Sequence, residues 1–450
     1  MSFSIEDLIQ VQLNSGLSNN KIKKLATTIR QRLGRSSVQR NFQGELALFG
    51  ADIKEEYVVQ EVRVGQDLIQ IAHCQDFNDH VTKVLNKREL NPHDTMIKLA
   101  IDGGQGFLKV IAFFIGIESE SGARCSASSL AAARFKDSGA MKAVPLAIAQ
   151  VSESYESLRI ILELIHVDSV LFKVAADLRV CALLLGLQSA ASCHPCIWCN
   201  IHKDKYFHAS QEDVELRTFG SIRRQASLFN DGGKKNAKHF FNCVNEPLFS
   251  EPDATEVMDV FPPMELHIFL GVTSRIFNFL CNEMEQLAIA WLKDLHLEKC
   301  VYHGSTSFNG RACRTLVQNF ARLEGLCPYD DSRFRAQLFV QAFRTLDSVV
   351  ASCFGNTLSD SYSDDIDVFE RAYCDLGYPA SPKVHALIVH VRQFIERSGK
   401  SLGIFSEQAC ETFHSVFQNS WKTRYARKPH PEYPRKLLEC VQEVASKHGH

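Results

Sequence analysis

No run of apolar residues in this 450-residue chain approaches the roughly 18 needed to cross a membrane. The longest candidates lie around Val110–Ile117 and Val180–Leu187, so no membrane partner is expected. The opening MSFSIEDL has no basic stretch leading into an apolar core, and no secretory signal is predicted. Internal repeats and low-complexity tracts are missing too, and a linker is expected at Asn356–Asp365. Nor is there an excess of charge: the formal net value is -2, without the overall basic balance that often marks nucleic-acid proteins. Cysteine is not scarce, but its fifteen copies are odd in number and scattered, which predicts reduced thiols in the cytosol or nucleus, some of them available to a metal.

What is present is enough for a large core. A hydrophobic fraction of 45% in a chain of this length predicts about two or three soluble domains. The basic residues are clustered. Lys21, Lys23, Lys24, Arg30, Arg32, Arg35 and Arg40 follow one another with no acidic residue between Asp7 and Glu45. Lys422, Arg424, Arg427, Lys428, Arg435 and Lys436 form a second group with Glu432 against it. Either group reads as a solvated helix face or as a set of phosphate contacts. Ile22, Leu25, Ala26, Ile29 and Leu33 recur at helical spacing between Ser18 and Gly34, and with the Ile5–Leu13 piece they suggest a small helix-turn-helix or an N-terminal cap. Residues 45–91 show no clear pattern and are grouped with this accessory region.

From Met96 the pattern changes. MIKLAID and FLKVIAFFIGI read as strands flanking Gly103, Gly104 and Gly106, and Asp102 ends the first of them. A carboxylate at a strand end before glycines suits a metal ligand at a sheet edge, and equally an ordinary hairpin turn. AVPLAIAQV is a further strand, Tyr155–Leu164 a helix, and LFKVAAD a strand ending at Asp177 before an apolar helix, Leu178–Leu187. The expected fold class is α/β with a mixed sheet.

SCHPCIWCNIHK then supplies a C-x-x-C, Cys196 and Cys199, at zinc spacing, with Cys193, His194 and His202 as competitors. One such pair is half a site. The other half is best sought in His385 and His390, yet five residues of straight helix place two side chains about 140° apart. Their convergence requires a helix that starts or bends there, and Ser381–Pro382 offers a start. Residues 210–378 are mainly helical in pattern. PPMELHIFLG, with Glu265 and His267, and FNGRACRTL, with Arg311 and Arg314, read as helix starts. After a break at Ser398–Gly403, Glu407, Glu411, His414 and Gln418 form a polar stripe expected to border the buried stripe of Ser406, Cys410, Phe413, Phe417 and Trp421.

In sequence, HALIVHVRQFIERSGKSLGIFSE resembles a tract of the RNase H-fold DDE transposases, in particular the catalytic subunit of the RAG recombinase and its Transib-type relatives. In that family an H-x(4)-H pair leads through a glycine into a Ser-Glu whose glutamate is catalytic, and that position is Glu407 here, not Glu411. The spacing from Asp177 to Cys196, the strand end at Asp102, and the ELHIFLG and FNGRACR segments are also similar to the family's. The resemblance runs from about residue 97 to 427. It implies an RNase H-like core at 96–192, a mainly helical insertion with zinc cysteines at 193–382, C-terminal helices at 383–450 that complete both sites, and an accessory region at 1–95. It further implies catalytic Asp102, Asp177 and Glu407 holding two Mg²⁺ or Mn²⁺ ions, a structural zinc on Cys196, Cys199, His385 and His390, and His267 near the active site. DNA nicking and strand transfer at transposon ends by a nuclear homodimer would follow, with Lys21, Lys23, Lys24, Arg30, Arg424, Arg427 and Lys428 on the double-stranded DNA. The alternatives are a domesticated DNA-binding protein that no longer cuts, and an RNase H-like nuclease without strand transfer. No accessory subunit or target sequence is implied.

Overall fold

The computed structural model describes residues 8, 19–33, 56–87, 90–117, 135–136, 143–167, 172–188, 191–207, 214–233, 236–298, 300–302, 305–425 and 432–448. The chain is a mixed α/β protein that divides into two compact units. Unit 1 comprises residues 1–116, 137–171 and 409–450, and unit 2 comprises residues 117–136 and 172–408.

Unit 1 is built on five strands: β1 Tyr57–Val64, β2 Asp67–Cys74, β3 Thr95–Asp102, β4 Leu108–Ile117 and β5 Val144–Ala149. They lie in the order β1-β2-β5-β4-β3, antiparallel throughout. The predicted β3, β4 and β5 are present. The hairpin β1–β2 is a finding the sequence did not signal: residues assigned to an accessory region pair through β2 with β5 and extend the sheet. β5 is buried along its whole length, and all but its ends in β3 is buried, as continuous apolar runs require. The Tyr155–Ile165 and Tyr433–His448 helices pack on β1, β2 and β5. Ser154 caps the first of them by accepting the Ser157 N–H at 3.1 Å. The Asn19–Leu33 helix is present as the apolar spacing predicts; apart from Leu8, the helix-turn-helix partner expected before it lies outside the described residues.

The register of the β3–β4 hairpin places Asp102 at the end of its strand. Asp102 pairs with Lys109 across the ladder, and a short 3-10 turn, Gly104–Gly106, joins the strands. Against this turn stands the helix Gln408–Arg424, whose Phe417 and Trp421 meet Phe107 edge to face at 5.2 and 5.5 Å between ring centroids. The predicted apolar stripe is therefore buried. The neighbouring polar stripe does not merely border it: Glu407, His414 and Gln418 are buried, and only Glu411 is exposed.

In unit 2, strand β6, Phe172–Ala176, runs into the Leu178–Leu184 helix. That helix stops short of the predicted Leu187, because Gly186 takes a left-handed φ of 67°. The rest is mainly helical. Glu265–Glu283 is the central helix, touching Glu285–Asp294, Gly310–Gln318, Arg333–Cys353 and the turn at Pro382–His385. Arg333–Cys353 also packs lengthwise on Tyr362–Asp375. Asn309 caps the Gly310–Gln318 helix by accepting the Ala312 N–H, so the FNGRACR segment is a helix start, as read.

Candidate functional site

The two half-motifs form one buried polar cluster in unit 2. Cys196 and Cys199 sit on a turn whose carbonyls both point at one side chain, Arg217. Its Nε donates to Cys196 O at 3.1 Å and Cys199 O at 3.0 Å, and its Nη2 donates to Phe241 O at 2.9 Å. Arg217 is completely enclosed. A buried guanidinium that satisfies three or more carbonyls fixes the turn and places positive charge behind the thiols.

The histidines come from a helix that begins where expected. Ser381 caps it, its Oγ accepting the Val384 N–H, and Pro382 occupies the first turn. The start alone does not align the rings. From Ala386 to His390 the backbone widens into a π turn before resuming as an α-helix at Val391–Ser398. A π turn takes about 4.4 residues, so a five-residue separation brings side chains to within about 50° instead of 140°. His385 and His390 thereby meet, Nε2 to Nε2, at 3.1 Å.

All four residues are buried, and their ligand atoms lie within 4.8 Å of one another. Cys196 Sγ is 3.2 Å from His390 Nε2, and Cys199 Sγ is 3.4 Å from His385 Nε2. Zinc bonds of about 2.3 Å to sulfur and about 2.0 Å to nitrogen in a tetrahedron set S···N edges near 3.5 Å and N···N edges near 3.3 Å. The donor set fits a structural metal such as zinc. The surroundings fit as well: His390 Nδ1 is held by Gln393 Oε1 at 2.8 Å, and the Tyr206 ring stacks on His385 at 4.2 Å. Burial holds the His385 ring below its usual pKa, toward the neutral form a ligand needs. Burial pushes both thiols up, yet Cys196 is held below the ordinary thiol range by its hydrogen bond with Cys199 and by the two imidazoles, while Cys199 stays above it.

Asp177 and Glu407 also belong to unit 2. Asp177 follows β6 and caps the next helix, its Oδ1 accepting the Val180 N–H at 2.7 Å. Glu407 is 3% exposed and stands just before the Gln408–Arg424 helix. Its Oε2 accepts the Leu266 N–H at 3.2 Å, at the start of the Glu265–Glu283 helix, where the helix dipole favours a carboxylate. Both acids act electrostatically on one half-buried lysine, Lys383, whose pKa lies below its usual value because burial lowers it by more than the two carboxylates raise it. Lys383 lies in the same turn as His385. Its stem crosses the central helix over Gly271, where a Cβ would stand 2.0 Å from Lys383 Cδ. His267 is half-buried, next to Leu266 in the turn that holds Glu407.

Asp102 belongs to unit 1, and there the structure groups it with Glu411 and His414. His414 Nδ1 lies 2.6 Å from Asp102 Oδ2 and 3.9 Å from Glu411 Oε2. Lys109 is buried beside them; its Nζ donates to Gly104 O at 2.8 Å and Phe107 O at 3.1 Å, and burial pushes its pKa down to about 8. Of the candidate DNA contacts, Lys24 is exposed and Arg30 half-exposed on the Asn19–Leu33 helix that also carries Lys21 and Lys23, and Arg424 ends its own helix; Arg427 and Lys428 lie outside the described residues. Arg435 pairs with Glu432 and with Glu439, an acid just past that basic group.

Arg217 and Lys383 escaped the sequence reading. Neither stands in a motif, and only the carbonyls and carboxylates that the fold gathers around them make them notable. Residues 123–227 match a family model described as a domain of unknown function (DUF8703), a span that contains Asp177, Cys196 and Cys199. No curated protein matches the chain.

Proposed function

We propose that this chain is a metal-dependent DNA transposase or recombinase of the DDE type with an RNase H-like catalytic core, similar to the RAG recombinase catalytic subunit and Transib-type transposases. The observation that carries the reading is the Cys2His2 cluster. Cys199 and His385 are 186 residues apart in the chain and Cys196 and His390 are 194 apart, yet they form one buried donor set. The pairing was expected from the order and spacing of motifs that also nominate Asp177 upstream of the cysteines and Glu407 downstream of the histidines.

In this reading the zinc is a structural cross-link. It pins the cysteine turn to the helix that carries Lys383, a lysine that interacts electrostatically with Asp177 and Glu407. Asp102, Asp177 and Glu407 have the metal-ligand role, and a pair of Mg²⁺ or Mn²⁺ ions held by them would activate the attacking oxygen and stabilise the leaving 3′ oxygen. The residues themselves hold and orient: Leu266 N–H aims Glu407, and the Val180 N–H fixes one oxygen of Asp177 while leaving the other for a ligand. The first step is hydrolysis of a phosphodiester to a 3′-hydroxyl and a 5′-phosphate. In the second, that 3′-hydroxyl attacks another phosphodiester and displaces its 3′ oxygen. The partners are double-stranded DNA and a second copy of the chain, in the nucleus.

A second reading follows from Glu407 itself. Its burial and its bond to a helix N–H also suit a purely structural carboxylate, in a protein that binds DNA without cutting it. A nicking and strand-joining assay with Mn²⁺ on the purified chain separates the two. The proposed function expects activity that Asp102→Asn, Asp177→Asn and Glu407→Gln each reduce by at least about a hundredfold. DNA binding with no cleavage supports the structural reading. Nicking that survives all three substitutions removes the assignment.

A further inference from the structure

The geometry points to a second cation site, in unit 1, formed by Asp102 Oδ2, Glu411 Oε2 and His414 Nδ1. It deepens the function just proposed by giving Asp102 its local partners, and rests on that reading only for what the bound ion would do. The family resemblance selects Glu407 and says nothing of Glu411 or His414 as ligands; the placement of their side chains does.

Each element of a built site is present. The three donor atoms lie within 4.8 Å of one another. His414 is 4% exposed, so its ring is fixed, and its other nitrogen, Nε2, is 3.5 Å from the Cys410 sulfur. That leaves Nδ1 as the atom facing the carboxylates, the arrangement in which one ring nitrogen is held by a neighbour while the other meets a metal. The acids are more open: the Asp102 side chain is 24% exposed and that of Glu411 49%, which leaves an entry path and room for water or a phosphate oxygen. An ion would take the place of the direct contact between His414 Nδ1 and Asp102 Oδ2, and needs the donor atoms about 3 Å apart. The Asp102–His414 separation of 2.6 Å must open slightly and the exposed Glu411 must swing inward from 3.9 Å.

The loop beneath the site is shaped to permit this. A Cβ on Gly104 would stand 2.9 Å from His414 Nδ1 and 3.3 Å from Asp102 Oδ2, inside the space an ion would use. Gly104 does not adopt a left-handed conformation, so the backbone alone does not call for glycine there. The loop is braced on both sides. Gly103 N–H donates to Glu153 Oε1 at 3.0 Å, and Lys109 Nζ donates to the carbonyls of Gly104 and Phe107. Two carboxylates and one imidazole favour a first-row divalent ion such as Mn²⁺ over Mg²⁺ or Ca²⁺, which prefer oxygen alone.

The test is Mn²⁺ binding to the zinc-loaded full chain, followed by electron paramagnetic resonance, with Mg²⁺ as competitor. Glu411→Gln, His414→Gln and Gly104→Ala should each weaken one Mn²⁺ site by at least tenfold with zinc content unchanged, while Asp177→Asn and Glu407→Gln leave that site intact. Gly104→Ala removes no ligand and Glu411 is half-exposed, so these two variants keep the test valid if His414→Gln fails to fold. Unchanged Mn²⁺ binding in both overturns the site. Loss of all Mn²⁺ binding in Asp177→Asn with none in Glu411→Gln also overturns it, and leaves the proposed function standing. Retention of the site in a chain that does not cut DNA upholds this inference and removes only the function.

Discussion

Removing one zinc ligand is the perturbation whose consequences the structure specifies most fully. In Cys196→Ser or His390→Ala, the remaining three donors stay buried beside the enclosed Arg217 guanidinium, which then faces a cluster without the thiolate–metal charge balance. Each buried polar group left without its partner costs about 1–3 kcal/mol. Three such groups, together with the zinc binding energy that is also folding energy, give a loss of at least about 5 kcal/mol. At about 2–4 °C per kcal/mol for a domain of a few hundred residues, the unit should melt about 10–20 °C lower. Metal analysis and thermal unfolding on the same samples check both parts. The wild-type chain should carry one zinc, the variants little, and a strong chelator should bring the wild type down to the variants' melting temperature. Stoichiometric zinc in either variant refutes the four-ligand site. Lost zinc with an unchanged melting temperature refutes the claim that the metal is structural.

Two further predictions concern lysines that no motif announces. Gly271→Ala should gain about 1 kcal/mol of helix propensity in an ordinary helix, but here the new methyl strikes the Lys383 stem, and overpacking of about 1–3 kcal/mol should leave the variant less stable; measured in a Lys383→Ala background against Lys383→Ala alone, the same substitution should be stabilising, and a Gly271→Ala single variant more stable than wild type by thermal unfolding counts against that contact. For Lys109, folding lowers the pKa from 10.5 to about 8 through burial, so between those values the unfolded chain binds more protons and stability from this residue rises with pH. Relative to Lys109→Met, the wild type should therefore gain up to about 3 kcal/mol from pH 8 to 10.5, a window in which buried thiols lower the stability of both proteins alike; a pH-independent difference in denaturant unfolding would contradict it.

The parts of the fold that were legible are those whose signal is local. MIKLAID and LFKVAAD are apolar runs ended by aspartates; the first is a strand that ends on Asp102, and the second is a strand, Phe172–Ala176, with Asp177 capping the helix that follows it. The C-x-x-C and the His pair could be matched because zinc spacing is a property of a few residues. The hairpin Tyr57–Cys74 was missed because β1 is an edge strand with much of its surface exposed, which dilutes the alternation that would mark it. Arg217 could not be found in advance, since its partners are carbonyls and carbonyls have no sequence signature. The alignment of His385 with His390 was legible only in part. The helix start at Ser381–Pro382 was readable, but the π turn that corrects the angle is a backbone adjustment that ALIVH does not announce.

The choice between Glu407 and Glu411 shows how sequence and geometry divide the question. They stand about one helical turn apart, and the resemblance to DDE transposases nominates the first. Geometry gives each its own surroundings: a helix N–H and the field of Lys383 for Glu407, and the Asp102–His414 pair for Glu411. A buried carboxylate that accepts a helix N–H and lies in the field of a lysine has a place in the fold without any metal, whereas Glu411 stands half in solvent. Glu407→Gln should therefore cost folding stability as well as any DNA chemistry, because it removes charge from a buried, compensated position. Glu411→Gln should leave stability within about 0.5 kcal/mol and act on ion binding alone. If both substitutions destabilise equally, the assignment of separate roles to the two acids fails.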